Sequence, residues 1–342
     1  MRMPEQLVRV FVVLLMLAAN ASHADGLFDD AAILDVELIG PLKELIDDKK
    51  DRKQLPFVLR AGGIDHEIKV RVRGKSRIRV CTFVQMRLNF SSDVPEQSIF
   101  FGQGKLKLAT HCRAHKSDTP NLLEEYLAYR IFNIISDVSF SVRLLRVNYV
   151  DNVNRRRDAP FTQYAFVIED DAALAERVDA IPVELPGIVL SRFDEKQAAL
   201  MYLFQYMIGN TDWSLVTAFD EEACCHNGKL IERGSKVLYV PYDFDLSGLV
   251  NARYAKPDPS LNIRNVRTRR YRGFCMERAT VESALDHIVA RQTEIMGLVD
   301  ELEALQDKDA AEPRRYLGEF FKQAENRQKF MKAVDRHCLP AD

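Results

Sequence analysis

From Pro56 to Phe90 apolar and polar residues alternate with a period of two, the mark of half-buried strands. The alternation is sharpest in KVRVRGKSRIRV, where Lys69, Arg71, Arg73, Lys75, Arg77 and Arg79 take every second position. Extended, this stretch has one basic face and one face of Val70, Val72, Ile78 and Val80, with Gly74 placed to interrupt it as a hairpin turn. A basic strand face has a plain use, keeping a solvated sheet face soluble. It also has a chemical one, facing phosphate. The pattern alone leaves both open.

Further along, the period changes. GKLKLATHC, from Gly104, is another short strand, with Lys107 pointing opposite to Leu106 and Leu108. Thr119-Pro120 marks a helix start, and Leu123, Leu127, Ile131 and Ile134 form a helical stripe to about Ser136. Strands follow at SFSVRLLRVNYV and TQYAFVIED; a helix begins near Asp170, and a stronger one runs from Asp194 through EKQAALMYLFQYMIG. VLYVPYDFDLSG, from Val237, is an apolar strand-like run that ends in Asp243 and Asp245. Residues 27–50 read as an irregular start and a short amphipathic helix, and the chain closes on two long amphipathic helices, roughly 276–305 and 313–336. This order predicts an α+β protein of two lobes. Residues 25–170 form a β-rich lobe and 171–342 a mostly helical one, joined near Glu169 to Ala172.

The first residues, MRMPEQLVRVFVVLLMLAANASHADG, carry Arg2 and Arg9, an apolar core from Val10 to Ala19 and small-x-small cleavage sites. That is the anatomy of a signal peptide over 1–24, so the mature chain is expected to be exported: periplasmic, extracellular or in a secretory lumen. No later stretch is apolar and long enough for a membrane helix. In an exported chain six cysteines make disulfides plausible. Cys81 with Cys112 and Cys275 with Cys338 are possible pairs, while adjacent Cys224 and Cys225 are not expected to bond to each other. A zinc role for them with His226 lacks the spacing of a zinc module. A net charge of -2 argues against a general nucleic-acid binder.

Two segments concentrate polar groups at the ends of apolar elements. YMIGNTDWS ends a helix at Gly209 and supplies Asn210, Asp212 and Ser214; CHNG then brings His226 and Asn227. With Asp243 and Asp245 these are hard-oxygen donors of the kind that suit Mg²⁺ or Mn²⁺. Each has a bland alternative: Asn210 and Asp212 as turn formers, Asp243 and Asp245 as a solvated strand end. DFDLSG also opens like an EF-hand loop, but Tyr254 stands where a bidentate Glu is needed. Asp-x-Asp after a strand is shared with haloacid dehalogenase phosphotransferases, in which the motif comes early, whereas here it comes late.

Taken in order, the segments resemble the CotH-like kinases and, more distantly, the HipA and secretory-pathway kinases. VRVRGKSR is similar to an early RG-Ser segment, IGNTDWS with HN to a catalytic Asp…Asn segment, and VPYDFDLSG to a metal-binding segment. The resemblance covers roughly residues 60–255 and implies a bilobal protein-kinase-like fold. It implies that Asp212 orients or deprotonates an acceptor hydroxyl, that Asn227 and Asp243 hold Mg²⁺ or Mn²⁺ bridging the phosphates of ATP or another nucleotide, and that Asp245 is a second ligand or a loop stabiliser. Lys107 would pair with the phosphates and with Glu124 or Glu125, and Arg73, Lys75 and Arg77 would face phosphate oxygens.

The departures are specific. The position five residues after Asp212 is Thr217 rather than Asn, and Asn227 lies fifteen residues on. Trp213 replaces the Arg found beside the Asp in the HipA and secretory kinases, and Gly102-Gln103-Gly104 reads as a turn rather than a nucleotide loop. RNVRTRRYRG, Arg264 to Gly273, is either an acidic-ligand site or a charged surface loop. Two functions follow: an exported metal-dependent phosphotransferase acting on a protein or small-molecule hydroxyl, or an inactive pseudokinase serving as an exported binding protein.

Overall fold

The computed structural model describes residues 26–113, 118–153, 159–215 and 224–340. The signal-peptide segment and Thr217 lie outside them.

In chain order, β1 (Leu34–Gly40) and α1 (Leu42–Asp47) precede the hairpin of β2 (Leu55–Ala61) and β3 (Ile64–Val72). A short helix α2 (Arg77–Val80), β4 (Met86–Phe90) and β5 (Lys105–Thr110) lead to the long helix α3 (Asp118–Ile135). Strands β6 (Val142–Asp151) and β7 (Phe161–Ile168) complete a closed barrel of order β1-β2-β3-β4-β5-β7-β6. Every pairing is antiparallel except β1 with β6, where Leu34 faces Leu145. Alternation decides what fills the barrel: Val70, Val72, Met86, Leu88, Leu106 and Leu108 all point inward and are buried. Each such side chain contributes roughly 1.5–3 kcal/mol.

The second half holds α4 (Asp171–Arg177), β8 (Ile181–Val183), α5 (Glu195–Ile208), β9 (Gly228–Arg233) and β10 (Lys236–Pro241). Then come α6 (Arg278–Ala290), α7 (Gln292–Glu301), α8 (Asp307–Glu325) and α9 (Arg327–His337). Strands β10, β9 and β8 form a small sheet in this otherwise helical part. Helix α5 starts on an Asp194 cap that accepts from the Gln197 N–H and stops at Gly209, whose left-handed φ of 65° brings its backbone under the Tyr316 hydroxyl. A second core joins α3 to α5 and the C-terminal helices through Phe132, Phe204 and Phe244, and it includes Phe166, Ile168 and Ala109 from the barrel wall. The protein is thus mixed α+β, strand-rich first and helical later, as the period analysis expects.

Four expectations are corrected. Residues 77–80 are helical, because the chain leaves β3 at Val72 and turns at Gly74 (φ 88°), so the basic stripe is broken and Val80 is exposed. Residues 34–40, expected to be irregular, form β1, stabilised by pairing with β2 and the distant β6. The two C-terminal helices are four, divided at Arg291 and at Asn326, whose side chain caps α9 by accepting from the Lys329 N–H. Finally, Cys81–Cys112 and Cys275–Cys338 are disulfides, but Cys224 and Cys225 are joined to each other as well.

Candidate active site

Helix α5 delivers the first acidic residue. After Gly209 the chain turns back on itself, with the Asn210 side chain accepting from the Asp212 N–H at 3.0 Å and Trp213 donating to the Asn210 carbonyl at 3.2 Å. Arg272 donates to the Thr211 carbonyl and braces the turn from behind. The Asp212 carboxylate is then held on both oxygens: His226 Nε2 lies 2.9 Å from Oδ1, and Asn227 Nδ2 donates to Oδ2 at 2.8 Å. Asn227 also donates to the Asp212 carbonyl at 2.6 Å. Its left-handed φ of 52° is a conformation that Asn tolerates better than most residues.

The same Asn227 ties this turn to the end of β10, because its carbonyl accepts the Tyr242 N–H at 3.0 Å. Asp243 follows with a φ of 65°, its N–H donating to the Tyr129 hydroxyl of α3 at 2.9 Å. A non-glycine residue there is strained, and the neighbours hold it: Phe244 is fully buried against Tyr129 and Phe204. The Asp243 carboxyl is pushed well above the usual range by desolvation and by the nearby Asp245 carboxylate, partly offset by Arg77. Its side chain keeps 38% exposure, while those of Asp245 and Glu125 keep 7% and 5%.

Asp245 does not share that exposure. Arg77 Nε donates to it at 2.8 Å, and the Tyr254 hydroxyl donates to the same oxygen at 2.8 Å. Arg77 Nη2 reaches Glu125 of α3 at 2.5 Å and stands 3.8 Å from Asp243. Burial opposes the charge on this guanidinium, but the acidic groups around it outweigh that, and its pKa is raised. Glu125 is raised in turn, by burial first, with Arg77 opposing.

Lys107 reaches the cleft from the barrel wall. Its ammonium pairs with Asp171 at the start of α4 and lies 4.8 Å from the Phe140 ring centroid and 5.4 Å from that of Tyr242. Burial pulls its pKa down to about 8, against the pull of Asp171. Asp171 also faces Lys229 at 3.3 Å.

Asp212 is bonded to Asn227, whose carbonyl holds the Tyr242 N–H just before Asp243, and Lys107 lies over the Tyr242 ring. The structure changes three of the expected partnerships. Lys107 pairs with Asp171 because Glu125 is taken by Arg77, and Glu124 bonds to Asn121 at 3.1 Å. Arg77 is buried between carboxylates rather than open to phosphate, because residues 77–80 turn inward as a helix; Arg73 is half-buried and Lys75 exposed. Asp245 is spent on Arg77 and Tyr254. Among the described residues no group of three His, Cys, Asp or Glu side chains could hold a metal ion. The Asp243 carboxylate and the Asn227 amide oxygen, whose amide nitrogen is committed to Asp212, are oxygen donors of the type that Mg²⁺ and Mn²⁺ take.

RNVRTRRYRG is neither an open ligand site nor a simple surface loop. Arg269 donates to the Met207 carbonyl at 3.0 Å and stacks 3.7 Å from the Tyr316 centroid, so this segment buttresses the Asp212 turn. Sequence reasoning missed Asp171 as the partner of Lys107 and His226 as the partner of Asp212. The adjacent acids Asp170-Asp171 at a helix start were the signal available for the first.

No family model matches the chain, and no curated protein matches it. Among solved structures it is similar to the proinflammatory kinase CtkA of Helicobacter pylori, at 10% identity and a TM-score of 0.38, over 82% of this chain and 91% of that one. At that distance the likeness assigns no role to any residue here.

Proposed function

We propose that the chain is an exported, metal-dependent phosphotransferase of kinase-like build, moving phosphate from ATP or another nucleotide to a hydroxyl on a protein or small molecule. The observation that carries this reading is the doubly held Asp212 carboxylate, joined through Asn227 and Tyr242 to the strained, partly exposed Asp243, with Lys107 over the Tyr242 ring. Asp212 is the base: His226 and Asn227 fix its orientation, and 35% exposure leaves it open to an acceptor hydroxyl. Asp243 and Asn227 are the residues to hold Mg²⁺ or Mn²⁺, which when bound neutralises charge on the phosphates. Lys107, buried beside Tyr242, supplies a positive charge next to the loop that carries Asp243. The disulfides Cys81–Cys112 and Cys275–Cys338 suit an oxidising compartment.

Arg77 favours a second reading. A guanidinium 3.8 Å from Asp243 already supplies positive charge without a metal, as a pseudokinase with a purely binding role would need. The two separate on nucleoside diphosphate release: the wild-type chain with ATP and Mg²⁺ is expected to form ADP, its γ-phosphoryl group passing to water when no other hydroxyl is supplied, and Asp212→Asn to lower the rate by about 10²–10⁴-fold with an unchanged melting temperature. Equal rates for the two proteins would remove Asp212 from the chemistry.

A further inference from the structure

Side chains on the outside of β3, β4 and β5 stand in rows set by strand register. Arg71 lies opposite Arg87, and Arg87 lies opposite Lys107. One step along, Lys69 and Lys105 flank Asn89. Like charges directly opposite each other on one sheet face are destabilising, so a face needing charge only for solubility mixes its signs. Around β1, β2, β6 and the start of β3 the outer face does that: Arg60 bonds to Glu37 and Asp65, and Arg146 to Asp35.

Beyond Glu67, the rows of Lys69, Asn89 and Lys105 and of Arg71, Arg87 and Lys107 are different. Among the described residues no carboxylate lies within ion-pair distance of Arg71 or Arg87, both half-buried, and the Arg87 Nε is buried without a hydrogen-bond partner. Lys107, at the end of the row, has Asp171 and looks into the cleft toward Tyr242. Arg73, just beyond the end of β3, is close enough to act electrostatically on Lys107, Glu125 and Asp243. The cationic row therefore runs outward from the candidate active site.

We propose that this face, centred on Arg71 and Arg87, binds a ligand carrying several ionised phosphate groups. The idea rests on the phosphotransferase reading only in placing phosphates in the same cleft. Planar guanidinium groups with unused N–H donors match phosphate oxygens bidentately, and the filled row replaces repulsion between its members by attraction to a common anion. Two sources share this chemistry: the triphosphate of the donor and a phosphorylated acceptor.

The test is calorimetric titration of the full chain with inorganic tripolyphosphate in EDTA, where no metal contributes and no turnover occurs. Binding is expected in the wild type and is expected to weaken as salt rises. The double variant Arg71→Gln/Arg87→Gln should bind at least 10-fold more weakly, and without ligand should melt at or above the wild-type temperature because the repulsion is gone. In a second titration with Mn²⁺ in place of EDTA, displacement of tripolyphosphate by a saturating non-hydrolysable nucleotide assigns the site to the donor, and joint binding assigns it to a phosphorylated acceptor. Absence of binding, equal binding by the double variant, or a fall of several degrees in its melting temperature would each overturn the proposal. Failure of the phosphotransferase reading would look different, with phosphate transfer absent and this binding intact.

Discussion

Arg77 and Asp245 lie 168 positions apart in sequence and form a buried ion pair at 2.8 Å, which fastens the turn after β3 to the segment after β10. Glu125 completes the arrangement from α3, so one guanidinium joins three parts of the chain. Buried pairs of this kind add little over apolar packing when whole but cost much when halved, because the remaining charges lose their partner. Arg77→Met is therefore expected to destabilise the protein by about 3–5 kcal/mol in urea unfolding. Arg77→Met/Asp245→Leu should recover part of that loss, and a single-variant cost under about 1 kcal/mol would contradict the role given to the pair.

Glu124 predicts a dependence on pH. Its carboxyl is pushed up to about 8 by burial, with the Asn121 hydrogen bond opposing, from an ordinary value of 4.5. A carboxyl raised in the folded state contributes stability that is fully present below its unfolded pKa and lost as pH rises through the folded one. Stability should thus decline from about pH 4.5 to above pH 8, by roughly 3–5 kcal/mol for this group at full ionisation. Glu124→Gln should flatten that decline and exceed the wild type in stability at pH 9. Parallel urea melts check it, and superimposable pH profiles would refute it.

Lys107 makes a kinetic prediction. With its pKa lowered to about 8, it sheds its charge at mildly alkaline pH, and transfer that relies on that charge should fall off there. Lys107→Met is expected to lower kcat/KM by about 10²–10³-fold. Lys107→Arg should keep part of the activity and move the alkaline limb to higher pH. Asp171 retains Lys229 in either variant, which limits the loss of stability. A pH–rate profile with the same alkaline limb in wild type and Lys107→Arg would exclude the lysine as its source.

Local signals carried much of the fold. Asp194 and Gly209 bracket α5 as a cap and a stop, Lys107 lies opposite to buried Leu106 and Leu108, and the strand before Asp243 ends where its apolar run does. What escaped notice depends on distant partners. Nothing within LDVELIG announces that β1 closes a barrel against β6, and a period of two continued through Gly74 concealed the helix that turns Arg77 inward. Residue type and order singled out Asp212, Asn227 and Asp243, and the fold links them through Asn227 and Tyr242. The commitment of Asp245 to Arg77, of Glu125 to Arg77 and of Lys107 to Asp171 depends on which carboxylate each cation reaches first.

If Asp243 holds a metal-bound nucleotide beside Asp212, nucleotide and metal together should stabilise the folded protein. Thermal denaturation with ATP and Mn²⁺ tests it most directly, comparing the wild type with Asp243→Asn and Asp212→Asn. The expected result is a rise in melting temperature that requires both ligands, survives in Asp212→Asn and disappears in Asp243→Asn. No rise in the wild type, or an equal rise in Asp243→Asn, would contradict it.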